Sequence, residues 1–127
     1  MEPDDELAGV LGALYRAMSS GDPESVERFY SLDPLGVFVG TDEAEFWTDP
    51  AQHNRDVRRF FDGSSGIVTW EAGEPSSRSN GVIGWTFDRP TVTVPDGTKV
   101  RPRVTLVWSR EGPHWRVVHS HASFGHP

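Results

Sequence analysis

Apolar residues in this chain recur at three- and four-residue steps up to Phe61, then at every second position from Gly66 onward. A helical half is therefore followed by a stranded half. In the first, Leu7, Val10, Leu11, Leu14, Tyr15 and Met18 share one helix face. Asp4, Asp5 and Glu6 suit the positive end of that helix, and Gly21 suits its stop. Asp22 and Pro23 start a second helix whose inner face carries Val26, Phe29 and Tyr30. The short apolar run "LGVFVGTD" reads as a strand. Asp49 and Pro50 then repeat the start signal, Val57, Phe60 and Phe61 give the third helix its stripe, and Gly63 ends it.

In the second half, "GIVTWEAGE", "GVIGWTFDR", "PTVTVPDG", "KVRPRVTLVWS" and "HWRVVHSHASF" read as strands. Ser79-Asn80-Gly81, Pro95-Asp96-Gly97 and Arg110-Glu111-Gly112-Pro113 carry the turn chemistry between them. Helices first and an antiparallel meander second imply an α+β domain, with the helices on one face of a curved sheet. The 127 residues suffice for one domain, 1–127, with one core, and no repeat or linker interrupts them.

Composition narrows the function classes. With 35% hydrophobic residues and five tryptophans, the chain is too apolar for disorder. A net charge of −7 argues against a nucleic-acid partner. There is no cysteine, which removes disulfide and thiolate chemistry. The N-terminus is acidic where a signal peptide would be basic, and no apolar run approaches the ~20 residues of a membrane helix. A cytoplasmic protein without a membrane partner is the expectation. No Ser-His-Asp order, phosphate loop or metal signature is present, so no metal and no cofactor are expected.

Three segments, "GTDEAEFWT", "GWTFDRPTVTVPDGTKV" and "HWRVVHSHASFG", together resemble the SnoaL-like branch of the nuclear transport factor 2-like (ketosteroid-isomerase-like) superfamily. Their order and spacing carry the resemblance, which runs from the first helix to Gly125. It implies a cone: three helices around a strongly bent antiparallel sheet, the cystatin-like roll, with an apolar pocket inside and a dimer through the sheet's outer face. Relatives include isomerases, polyketide cyclases, dehydratases and non-catalytic binding domains, so the resemblance leaves the chemistry open. The last strand also resembles the association domain of calcium/calmodulin-dependent protein kinase II. That domain's arginine-lined pocket positions fall here on Leu106 and Ala122.

Strand alternation places Trp115, Val117, His119, His121 and Ser123 on one face of the last strand, and Val118, Ser120, Ala122 and Phe124 on the other. An ungapped match to ketosteroid isomerase turns the second set inward. The first set then forms the outer face with Arg103 and Thr105, where a homodimer would bury it. Two other readings of the histidines stand beside this one. His-x-His supplies two metal ligands, with His126, His114 or a carboxylate as third, and imidazole suits acid–base work.

The expected pocket comprises Trp85, Phe87, Val104, Leu106, Trp108, Ser120, Ala122 and Phe124 from the sheet. Phe38, Trp47, Phe60 and Tyr15 close its other side. Such a lining suits a small hydrophobic molecule. The resemblance places the isomerase's two carboxylates at Leu106 and around Phe38, and its tyrosine near Leu14, beside Tyr15. Neither carboxylate is kept. The candidates left for proton handling are Tyr15 and Asp42, the latter also suited to capping a turn. The sequence thus points to a homodimeric domain binding a small apolar ligand. The alternative is an acid–base isomerase, cyclase or dehydratase acting on a hydrophobic small molecule.

Overall fold

The structure is a computed structural model that describes residues 1–63 and 67–125. Gly66, the expected start of the stranded half, and His126 lie outside the described residues. Three helices form where the caps predict: α1 (Asp5–Ser20), α2 (Pro23–Glu27) and α3 (Pro50–Gly63). Asp4 Oδ1 accepts the Leu7 N–H at 2.8 Å, Asp22 Oδ1 the Glu24 N–H at 3.2 Å, and Asp49 Oδ1 the Ala51 N–H at 3.0 Å. Gly21 closes α1 at φ +76°, a left-handed conformation that glycine adopts without penalty.

Among the described residues ten strands accompany them: β1 (Glu2–Pro3), β2 (Val37–Val39), β3 (Phe46–Trp47), β4 (Thr69–Glu71), β5 (Ser76–Ser79), β6 (Ile83–Asp88), β7 (Thr91–Thr93), β8 (Lys99–Val100), β9 (Arg103–Glu111) and β10 (His114–Ser123). The main sheet runs β1-β5-β6-β9-β10-β2-β3, and β4-β7-β8 form a second, smaller one. The expected meander needs two corrections. β2 joins β10 in parallel, so the main sheet is mixed. The run from Lys99 to Ser109 is two strands in two sheets, broken at Pro102, which has no N–H for a ladder.

α1 lays Leu7, Leu11, Leu14 and Tyr15 on the sheet's inner face. It approaches closely at Gly84, where a Cβ would stand 2.6 Å from Leu7 Cδ2. Val104, Leu106 and Trp108 of β9 and Phe38 of β2 complete the core. Burying side chains of this size contributes about 1.5–3 kcal/mol each. Phe38 and Trp108 are 0% exposed, so the floor of the cone is filled.

The faces of β6 and β10 depart from simple alternation, and both departures relocate expected site residues. In β10 the register with β9 shifts between Val117 and His119, leaving Val118 as a bulge. Before it, Trp115 and Val117 pair with Arg110 and Trp108 and are buried in the core, not on the expected outer face. After it, Ser120 and Ala122 pair with the inward Leu106 and Val104, while His119, His121 and Ser123 pair with Val107, Thr105 and Arg103 on the outer side.

In β6 it is Thr86 and Asp88 that pair with Leu106 and Val104 inside. Trp85 and Phe87 pair with Val107 and Thr105 outside, which corrects their expected place in the pocket. Register with β9 overrides hydrophobicity because the inward polar groups are satisfied. Thr86 Oγ1 accepts the Trp108 indole N–H at 3.0 Å, and Asp88 is bonded throughout. Phe60 and Phe124 are also corrected: both are exposed, Phe60 because α3 turns its neighbour Phe61 inward, Phe124 because β10 ends at Ser123.

Candidate functional site

α1 packs on β4, β5, β6 and α2, while α3 packs on α2, β2 and β3, and among the described residues no comparable contact joins α1 to α3. Between the two helices lies the inner face of β9 and β10. Two groups of polar and aromatic side chains occupy the cone there.

The first is built on Asp88, 1% exposed at the end of β6. The Tyr15 hydroxyl donates to its Oδ2 at 3.0 Å, the Gly73 N–H lies 3.1 Å from the same oxygen, and the Arg89 N–H donates to Oδ1 at 2.8 Å. The loop can come this close only at a glycine. A Cβ on Gly73 would stand 2.5 Å from the Arg89 carbonyl oxygen and 3.0 Å from Asp88 Oδ1. Burial and the neighbouring Asp88 charge push the Tyr15 hydroxyl far above the ordinary tyrosine range. Its proton is committed to Asp88, and its ring stacks on Trp70 with centroids 5.8 Å apart. Tyr15 thus locks β6 to α1 and is not poised to give its proton away.

The second group surrounds His53, a buried residue of α3. Its ring lies 4.4 Å from Phe38, 4.8 Å from Tyr30 and 5.0 Å from Trp47, centroid to centroid. The Trp47 indole N–H donates to Asp56 Oδ2 at 2.8 Å, which fixes the wall of this cluster and holds the Asp56 carboxyl below its ordinary range. Nδ1 of His53 lies 3.4 Å from Asn54 Oδ1, and Nε2 has no partner among the described residues. Burial dominates the titration and holds the imidazole below its ordinary value, against the opposing pull of Asn54 and Asp56. The ring is neutral at physiological pH. Burial pushes the Tyr30 hydroxyl up to about 12. Val57 and Phe61, on the same face of α3 as His53, are only partly buried against the core.

His53 gives the protein an acid-sensitive stability. The unfolded chain takes up a proton as pH falls through ~6.5, and the folded chain resists it, so stability falls as pH drops below that value. Thermal melts at pH 7.5 and 5.5 should show wild type losing roughly 2–5 °C more than His53→Phe across that interval. Equal losses would mean the imidazole is not buried as described.

Sequence reasoning missed His53. The signal was present, because His53, Val57 and Phe61 are spaced at four-residue steps on one face. Of the expected pocket residues, Tyr15, Phe38, Val104, Leu106 and Trp108 are buried in the core, and Trp47, Ser120 and Ala122 are half-buried on its inner side. Asp42 stands apart from them. It is exposed, accepts the Ala44 N–H at 2.9 Å, and gives its own N–H to Glu45 Oε1 at 2.8 Å. That is turn capping in an exposed loop.

The outer face of the main sheet has a different character. One row crosses it through Arg78, Trp85, Val107, His119 and Val37, and the next through Ser76, Phe87, Thr105, His121, Val39 and Phe46. Neither row contains a carboxylate, although the chain carries a net charge of −7. No helix of the described structure is long and apolar enough to cross a membrane.

Comparison with known proteins places this geometry. A family model described as a SnoaL-like domain matches residues 8–127. Among solved structures, an NTF2-like protein of unknown function from Pseudomonas putida has a TM-score of 0.85 at 16% identity, over 97% of this chain and 87% of the other. A protein of cystatin-like fold from Caulobacter vibrioides has a TM-score of 0.77 at 18% identity, over 97% and 89%. A dehydratase candidate of the NTF2-like family from Streptomyces avermitilis has a TM-score of 0.78 at 16% identity, over 97% and 96%. At these identities the likeness is one of fold. No curated protein matches the chain.

Proposed function

The chain belongs to the SnoaL-like family, and from that premise we propose that it acts as a cytoplasmic homodimer, joined through the outer sheet face, that holds a small apolar molecule at the mouth of each cone. The observation that carries this reading is the division of labour between the sheet's two faces. The inner face gathers a filled floor and, above it, a rim of half-buried aromatic and aliphatic groups around a neutral imidazole. The outer face leaves Phe46 and Phe87 exposed, with Trp85, Val107, Val37 and Val39 half-buried beside them in one chain. Apolar groups massed on one surface of a soluble chain mark a surface that gains by being covered.

The guest sits higher than the sequence suggests. Phe38, Leu106 and Trp108 are closed off beneath, so contact falls to Trp47, Tyr30, His53 and Phe61, with Ser120 and the His53 Nε2 as polar handles. A flat molecule oriented by one or two hydrogen bonds suits such a rim. Tryptophan fluorescence titrated with a naphthol, a steroid and a fatty acid tests this. At least one probe should saturate, and Trp47→Ala and His53→Ala should each weaken it by tenfold or more, about 1.4 kcal/mol. Trp85→Ala should leave affinity unchanged. Loss of binding in Trp85→Ala with retention in Trp47→Ala would contradict the placement.

A second reading, an acid–base enzyme of isomerase, cyclase or dehydratase type, is favoured by one observation. A neutral imidazole against the Tyr30 ring can accept a proton from a bound molecule, which makes His53 the candidate base. Turnover of any bound probe that survives His53→Gln would remove this reading.

A further inference from the structure

We propose that His119 and His121, with the same pair from a second copy, form a binding site for a divalent transition-metal cation such as Zn2+ at the centre of the paired outer faces. The inference rests on the pairing proposed above, since one chain supplies only half of the ligands.

His119 and His121 lie after the β10 bulge and pair with Val107 and Thr105, which fixes both imidazoles on the outer side. Two residues of extended chain separate their Cα atoms by roughly 6.7 Å, a spacing at which both rings can reach one ion. His119 Nδ1 lies 2.9 Å from the Val37 carbonyl oxygen. A carbonyl only accepts, so Nδ1 carries the hydrogen and Nε2 is left with its lone pair. An imidazole whose far nitrogen is pinned to a backbone carbonyl is the arrangement that orients metal-bound histidines. His121 is exposed and makes no hydrogen bond to the described residues.

No group of three His, Cys, Asp or Glu among the described residues could hold a metal within one chain. The deficit is one that two-fold symmetry repairs, because a two-fold axis near β10 brings four imidazoles together. The position fits such an axis. β6 and β9 flank β10 on one side and β2 and β3 on the other, so Phe87 and Val39 shield the histidines from opposite directions. Arg103, in the row beyond His121 and Thr105, donates to the Phe124 carbonyl at 3.3 Å. Four nitrogen ligands suit zinc, nickel or copper. Magnesium and calcium prefer oxygen, which these rows do not offer as carboxylate.

Calorimetric titration of Zn2+ into tag-free, chelator-treated protein, with sedimentation run in parallel, tests the site. One ion should bind per two chains. His121→Ala should weaken binding by at least about tenfold, while His114→Ala, at the β9–β10 turn, should leave it unchanged. A wild-type dimer that shows no saturable Zn2+ uptake, or a His121→Ala protein that binds as wild type, would overturn the metal site and leave the pairing standing. A wild type that stays monomeric with and without Zn2+ would overturn the site through the pairing itself.

Discussion

Replacing Asp88 with alanine should lower the melting temperature by roughly 10–15 °C, the equivalent of about 3–5 kcal/mol in a domain of this size. The carboxylate is almost fully buried and accepts from the Tyr15 hydroxyl and the backbone N–H groups of Gly73 and Arg89. Alanine would leave the Tyr15 hydroxyl without a partner in the core, at about 1–3 kcal/mol, take the acceptor from the part-buried N–H groups of Gly73 and Arg89, and open a cavity where the carboxylate stood. Tyr15→Phe removes only one donor and should cost about 1–2 kcal/mol. That ordering separates a structural lock from a catalytic pair. A large loss of stability in Asp88→Ala with a small one in Tyr15→Phe is expected. An Asp88→Ala protein as stable as wild type would show that the carboxylate is not held as described.

Replacing Trp85 with glutamate should convert the protein to monomers without unfolding it. Trp85 stands in the row between Arg78 and Val107, on the side of the sheet that no helix covers. A central tryptophan in an interface typically carries about 2–4 kcal/mol, or about 30- to 1000-fold in the dimer dissociation constant. Glutamate adds the cost of burying a charge. The helical circular-dichroism signal should be unchanged, because α1 packs on the opposite face. Trp115→Glu provides the contrast. That side chain is buried in the core upstream of the bulge, so the substitution should prevent folding instead of dissociating subunits. If Trp115→Glu folded and dissociated while Trp85→Glu stayed dimeric, the two faces would have been exchanged.

Much of the architecture was legible because its signals are local. Asp4, Asp22 and Asp49 announce three helices, and the change of period announces the sheet. The faces of individual strands were less legible, because parity is a long-range property. Counting along β10 separates His119 and His121 from Ser120 and Ala122, and the resemblance chose which pair turns outward, yet one extra residue at Val118 reverses every position before it. Nothing local at Val118 signals the insertion; the register with β9 creates it. In β6 hydrophobicity itself misleads. Trp85 and Phe87 look like core, but Thr86 and Asp88 take the inner positions because their hydrogen bonds are completed by Trp108, Tyr15 and Gly73, residues distant in sequence. Asp42 carried two readings in the sequence, a proton-handling carboxylate and a turn cap, and its side chain accepts the Ala44 N–H of a turn. His53 was readable from its four-residue spacing, but a polar residue in an apolar stripe is easily passed over.

Sedimentation equilibrium of the wild-type protein across the micromolar range tests most directly whether one surface of the sheet receives a second copy while the other receives a guest. A species of twice the mass of one chain is expected, lost in Trp85→Glu. A wild type that sediments as a single chain throughout, or a Trp85→Glu protein that remains paired, would contradict it.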